Sequence, residues 1–67
     1  MKVDGEKLRA LRDGKLMTSQ ELADLAGVSR DVIYRVESGR TGANQTSIKR
    51  MARVLGVEPK ELLPADG

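Results

Sequence analysis

Sixty-seven residues with a net charge of +2 and a pI of about 9.3 describe one small, mildly basic domain, and a chain of this size buries only about 60% of the surface its unfolded form exposes. The absence of cysteine and histidine excludes disulfide frameworks, the usual zinc-finger ligand sets and most nucleophile or imidazole chemistry. No apolar run approaches the ~20 residues of a membrane span, and Met1-Lys2-Val3-Asp4-Gly5-Glu6 has no signal-peptide apolar region, so a cytoplasmic protein without membrane contact is expected.

Asp4 is placed to cap a first helix from Gly5 to about Asp13, with Leu8 and Leu11 on its inner face and Lys7, Arg9 and Arg12 elsewhere. Gly14 closes it. Leu16 and Met17 follow, and both apolar side chains are expected in the core.

Residues 18–38 then spell two short helices joined by a glycine-centred turn. Thr18 and Glu21 form a capping box in which each side chain satisfies a backbone donor near the other, and Met17 with Leu22 forms the matching hydrophobic staple. Leu22, Ala23, Leu25 and Ala26 recur with helical spacing as one apolar face. Gly27 ends the run, because glycine reaches positive φ at least cost. Ser29 caps the next helix, with Val28 and Ile33 as a second staple. At about 100° per residue, Ile33 and Val36 fall on one side of it, while Arg30, Asp31, Tyr34 and Arg35 fall on the other. One face packs and the other is free to read a partner. The small Ala23 lets the two helices cross closely, which is the arrangement of a helix-turn-helix.

Ser38-Gly39-Arg40-Thr41-Gly42-Ala43 is rich in turn formers, and Asn44 caps a fourth helix. Ile48, Met51, Ala52 and Leu55 form its buried face; Lys49, Arg50 and Arg53 do not share it, and Gly56 closes it. Residues 57–63 read as a final short helix, with Pro59 at the first helical position, where its missing N–H does no harm. Leu62 and Leu63 require cover, from helices one and four or, for one of them, from a dimer contact. Pro64, Ala65, Asp66 and Gly67 are expected to fray. No repeat, low-complexity tract or linker interrupts the chain.

Charge is unevenly spread. From Arg30 to Arg53 there are six basic residues (Arg30, Arg35, Arg40, Lys49, Arg50, Arg53) against two acidic ones (Asp31, Glu37), the footprint expected of a phosphate-binding surface rather than of evenly solvated helix faces. Tyr34 is the single aromatic residue, too few for binders of single strands, which stack bases on several aromatic platforms.

The pattern A-x3-G-x5-I-x2-V over Ala23, Gly27, Ile33 and Val36 resembles the helix-turn-helix of the lambda repressor-like family, the Cro/C1 or Xre type of prokaryotic regulators. The likeness extends to L-R-A-L-R (8–12), E-S-G-R (37–40) and M-A-R-V-L-G-V-x-x-x-E-L-L (51–63), so nearly the whole chain is covered. It implies an all-α, compact five-helix domain over residues 1–67, with an ordered core of about 4–63 and the motif at helices two and three. In that family an arginine at the place of Arg12 pairs with the glutamate ending the recognition helix, here Glu37. The angular count puts Glu37 toward the packed side, where a carboxylate needs a partner.

Such a protein binds double-stranded DNA with the second motif helix in the major groove. Arg30 and Arg35 are then candidates for bidentate contacts to guanine O6 and N7, and by resemblance the base-reading positions are Arg30, Asp31 and Arg35, with Tyr34 near a phosphate or a thymine methyl group. Asp31 has two readings: it accepts from cytosine N4, or it holds Arg35 in position from four residues away. Phosphate contacts are expected from Ser19 and Gln20 at the start of helix two, from Ser29, and from Arg40, Thr41, Asn44 and Gln45 beside the groove, with Lys49 adding charge. The family often carries glutamine where this chain has the shorter Ser19, and proline and an apolar residue where it has Ala43 and Gln45.

One domain makes few contacts for a selective site, so a homodimer on half-sites about one helical turn apart is implied. A chain of this size leaves no room for a ligand-sensing module, and control is expected from its concentration or from a partner protein. The leading expectation is a sequence-specific DNA-binding repressor. Its rival is an interaction module of the same fold, such as an antitoxin whose main contact is its toxin. No catalytic residue, cofactor or metal is expected: a nuclease needs clustered carboxylates, and Asp24, Asp31 and Glu37 are not clustered in the sequence.

Overall fold

The computed structural model describes residues 1–65, and among these there are four α-helices, one 3-10 turn and no strand. Helix α1 spans Gly5–Gly14, α2 Ser19–Ala26, α3 Arg30–Glu37 and α4 Gln45–Leu55; the terminal 3-10 turn is Pro59–Leu62. No helix among the described residues is long and apolar enough to cross a membrane.

Each helix begins where a side chain takes up an orphan backbone donor. Asp4 accepts from Lys7 N–H at 3.1 Å, Thr18 from Glu21 N–H at 3.0 Å, Ser29 from Val32 N–H at 3.2 Å and Asn44 from Ser47 N–H at 2.8 Å. Glu21 completes the capping box by accepting from Thr18 N–H at 2.9 Å.

The four helices also end alike. After α2, α3 and α4 the chain passes through a left-handed glycine, Gly27 (φ 71°), Gly39 (φ 77°) and Gly56 (φ 73°), and the next residue reaches back to a carbonyl five positions earlier. At the end of α1 the same pair of bonds forms, Leu16 N–H to Asp13 O at 2.9 Å and Met17 N–H to Arg12 O at 3.2 Å, but the left-handed residue is Leu16, with φ 54°. Gly14 is simply the last helical residue. The helix ends at Gly14 as expected, but the expectation of Leu16 in the core is corrected: Leu16 is 92% exposed. In the left-handed conformation its side chain is carried outward, while Met17 turns in against the core.

The core is one cluster made of Leu8, Leu22, Ala23, Ala26, Ile33, Val36, Ile48, Met51, Ala52, Leu55 and Leu62. Helix α2 lies against both α3 and α4, and the terminal turn closes the assembly by packing on α4 and α1. Ala23 is fully buried where a larger side chain would hold the helices apart. Burying residues such as Ile33 or Leu62 contributes roughly 1.5–3 kcal/mol each, a large share of the stability available to so short a chain.

Two further expectations change. Leu25, expected on the apolar face of α2, is 66% exposed, because it points about 100° away from the centre of the stripe set by Leu22, Ala23 and Ala26. The final helix forms as a four-residue 3-10 turn and not as an α-helix. Leu63 is extended (ψ 152°) ahead of Pro64, as residues before proline prefer, which stops the turn from lengthening. Leu62 is fully buried and Leu63 partly so, which meets the need for cover from within the chain. Of the segment expected to fray, Asp66 and Gly67 lie outside the described residues.

Candidate nucleic-acid interface

Helix α3 is amphipathic in the strict sense: Ile33 and Val36 are fully buried, and Arg30, Asp31, Tyr34 and Arg35 all stand in solvent. Its orientation is set at both ends. Ser29 caps the start, and at the far end Glu37 turns inward to Arg12 of α1. Arg12 Nε donates to Glu37 Oε2 at 2.7 Å and Arg12 Nη2 to Glu37 Oε1 at 3.0 Å, while Nη1 donates to Met17 O at 2.6 Å. The hydrogen bonds that Arg12 donates to Glu37 raise its pKa above the ordinary value, against the opposing effect of burial. Arg12 is thus committed to the fold and is absent from the exposed face.

On that face, Arg35 Nη2 lies 2.8 Å from Asp31 Oδ2, one turn apart on α3. Ser19 at the start of α2 joins Arg30, Asp31 and Tyr34 around one depression, so the beginning of α2 and the outer side of α3 form a continuous surface. The first-turn N–H groups at Ser19 and Gln20 have no acceptor within their helix, an arrangement that attracts anions. The Gln20 side chain donates to Asp24 at 2.8 Å, and the Ser29 hydroxyl oxygen is occupied as the α3 cap.

Arg40 leaves α3 with its backbone pinned to Arg35 O at 2.9 Å and its side chain exposed. Thr41, Asn44 and Gln45 are exposed as well. Lys49 follows Gln45 by one turn of α4 but lines a different depression, with Ala52, Arg53, Val57 and Pro59. Arg50 and Arg53 line a depression at the C-terminal end of α2 with Leu25 and Gly27. The basic surplus counted along the sequence is therefore spread over more than one depression, with Arg53 lining both of the last two.

One neighbour of this surface escapes a sequence reading. Lys2 lies beside Thr41, Gly42 and Asn44, brought there by hydrogen bonds between Met1 and Ala43. No local pattern signals a contact between residues 42 positions apart.

A helix-turn-helix family model of the Cro/C1 type matches residues 8–62. The chain belongs to the Cro/C1-type helix-turn-helix family. Among its relatives in that family is the HTH-type transcriptional activator BcrR of Enterococcus faecalis, 39% identical over 61 residues that make up 91% of this chain and 30% of the relative. The restriction-modification controller protein C.AhdI of Aeromonas hydrophila superimposes with a TM-score of 0.83 at 36% identity, covering 88% of this chain and 89% of that one. The P22 c2 repressor, solved in complex with a synthetic operator, superimposes with a TM-score of 0.88 at 27% identity over 98% of this chain and 100% of the repressor chain. The chain spans less than half the length of the first curated relatives it matches, from 30% to 46%.

Proposed function

We propose that this chain is a sequence-specific regulator that binds double-stranded DNA, a repressor in the Cro/C1 manner, acting in the cytoplasm as a homodimer with α3 in the major groove. One feature carries the proposal: α3 buries Ile33 and Val36 completely and leaves two arginines, a carboxylate and a tyrosine free on its opposite side. A helix with its side chains is about 10–12 Å across, the width of the B-DNA major groove. Arg30, Asp31, Tyr34 and Arg35 are assigned to the base edges. Ser19, Gln20, Ser29, Arg40, Thr41, Asn44 and Gln45 are assigned to the phosphates, and Lys49 extends that line along α4.

The P22 c2 repressor, whose structure includes its operator, supports this docking by similarity. In that plan the whole of residues 1–67 works as one binding unit, and the terminal 3-10 turn takes the place of the fifth helix. Two copies, each presenting one α3, would read half-sites about one helical turn apart. The chemistry is recognition alone, with no catalytic residue and no cofactor or metal.

Selection of bound duplexes from a random pool tests this directly. A two-fold symmetric consensus with guanine in each half-site is expected. Retention of duplexes without any sequence preference would overturn the base-reading assignment and leave the interaction-module reading in its place.

A further inference from the structure

The first four residues lie outside any helix and touch three separate parts of the molecule. Met1 and Ala43 exchange both backbone hydrogen bonds, Met1 N–H to Ala43 O at 3.0 Å and Ala43 N–H to Met1 O at 2.9 Å. Val3 packs on the core. Asp4 N–H then donates to Leu62 O at 2.8 Å, just ahead of the helix that Asp4 caps. The segment is a strap from the α3–α4 loop to the terminal turn.

Gly42 is the residue that admits it. A Cβ at this position would overlap the Met1 carbonyl oxygen and lie 2.7 Å from its carbon and 3.2 Å from Lys2 Cα. Nothing but a missing side chain makes room for the strap, and these contacts are to backbone, which does not yield as a flexible side chain does. Lys2 emerges from this crossing exposed, beside Thr41 and Asn44, and among the described residues no carboxylate lies within ion-pair distance of its ammonium group. All of residues 1–4 precede the stretch matched by the family, which begins at residue 8.

We propose that residues 1–4 hold the α3–α4 loop in its DNA-facing form, with Gly42 as a positioning residue, and that Lys2 contacts the phosphodiester backbone beside Thr41 and Asn44. The inference rests on the DNA-binding reading above. Loops have little structure of their own to resist distortion, and a loop ordered before binding loses less entropy when it meets the phosphates. A lysine that neutralises one phosphate contributes about one unit to the slope of log affinity against log salt.

The test compares the full chain with Lys2→Ala, Lys2→Arg and Gly42→Ala, measuring affinity across a salt series for a selected duplex and for the same duplex with one base pair changed. Lys2→Ala is expected to flatten the salt slope by about 1, to weaken both duplexes by the same factor, and to melt as the unsubstituted chain does; Lys2→Arg restores slope and affinity. Gly42→Ala is expected to weaken both duplexes equally while base preference persists. An unchanged slope in Lys2→Ala overturns the phosphate contact, whether or not Gly42→Ala folds. Full affinity in Gly42→Ala overturns the strap. In both of these cases the unsubstituted chain still selects its site, so the DNA-binding reading survives; failure of that chain to retain any duplex overturns both together.

Discussion

Arg12 holds both carboxylate oxygens of Glu37, 25 residues away, and with its remaining nitrogen the carbonyl of Met17. Each side chain of the pair is only 11% exposed. One guanidinium thus ties the end of α3 to α1 and to the turn that starts α2, and so sets the angle at which α3 is presented. Breaking such a pair from one side leaves a charge in a dry place, at a cost of about 3 kcal/mol, whereas replacing both partners by apolar groups is far milder. Arg12→Met and Glu37→Leu are each expected to lower the melting temperature steeply, and the double variant to recover most of the loss. Additive losses in a thermal double-mutant cycle would show that the two side chains act independently.

Leu16 is the one residue other than glycine at positive φ among those described, and it is almost fully exposed. An L side chain in that conformation carries roughly 1–2 kcal/mol of strain, and here no burial offsets it. Leu16→Gly is expected to stabilise the fold by about 1 kcal/mol, which in a domain of this size raises the melting temperature by roughly 4–8 °C. Calorimetry decides the matter, and a lower melting temperature would mean that Leu16 makes contacts worth more than its strain.

The two classes of proposed DNA contact separate by their response to sequence and salt. Arg35→Ala is expected to lose about 1–3 kcal/mol of discrimination at one base position, and Arg40→Ala to weaken every duplex alike and flatten the salt dependence. Binding measured on the selected site and on its single-base variants distinguishes them. Equal, sequence-blind losses from both would rule out α3 as the base reader.

Asp31 lies 2.8 Å from Arg35 on an exposed helix face, a pair worth only about 0.3–0.5 kcal/mol to folding. Its removal is therefore expected to leave the melting temperature nearly unchanged. If its work is to hold Arg35, Asp31→Ala broadens preference at the same base position as Arg35→Ala and at no other. A change at a second position would assign Asp31 to a base of its own.

Local chemistry made most of the scaffold readable in advance. Asp4, Thr18, Ser29 and Asn44 cap the helices they were expected to cap, because a capping hydrogen bond closes within three residues. Ile33 and Val36 face inward because two branched apolar residues three apart can share only one side of a helix. The Arg12 to Glu37 pair was legible only through resemblance, since nothing in the spacing of two residues 25 apart brings them together. Leu16 and Leu25 misled for the opposite reason: an apolar residue beside a core position looks like core until the rotation of its helix is known.

The sequence by itself determined where each helix starts, most of the residues that form the core and which side of α3 is left free, for these follow from bonds closed within a turn or two and from a 3.6-residue period. The tertiary structure alone decided that Leu16 takes the left-handed position, that Arg50 and Arg53 gather at the C-terminal end of α2, and that Lys2 lies beside Thr41 and Asn44. Those outcomes depend on how the helices cross, and a crossing angle is a property of the packed core as a whole, written in no single stretch of the chain.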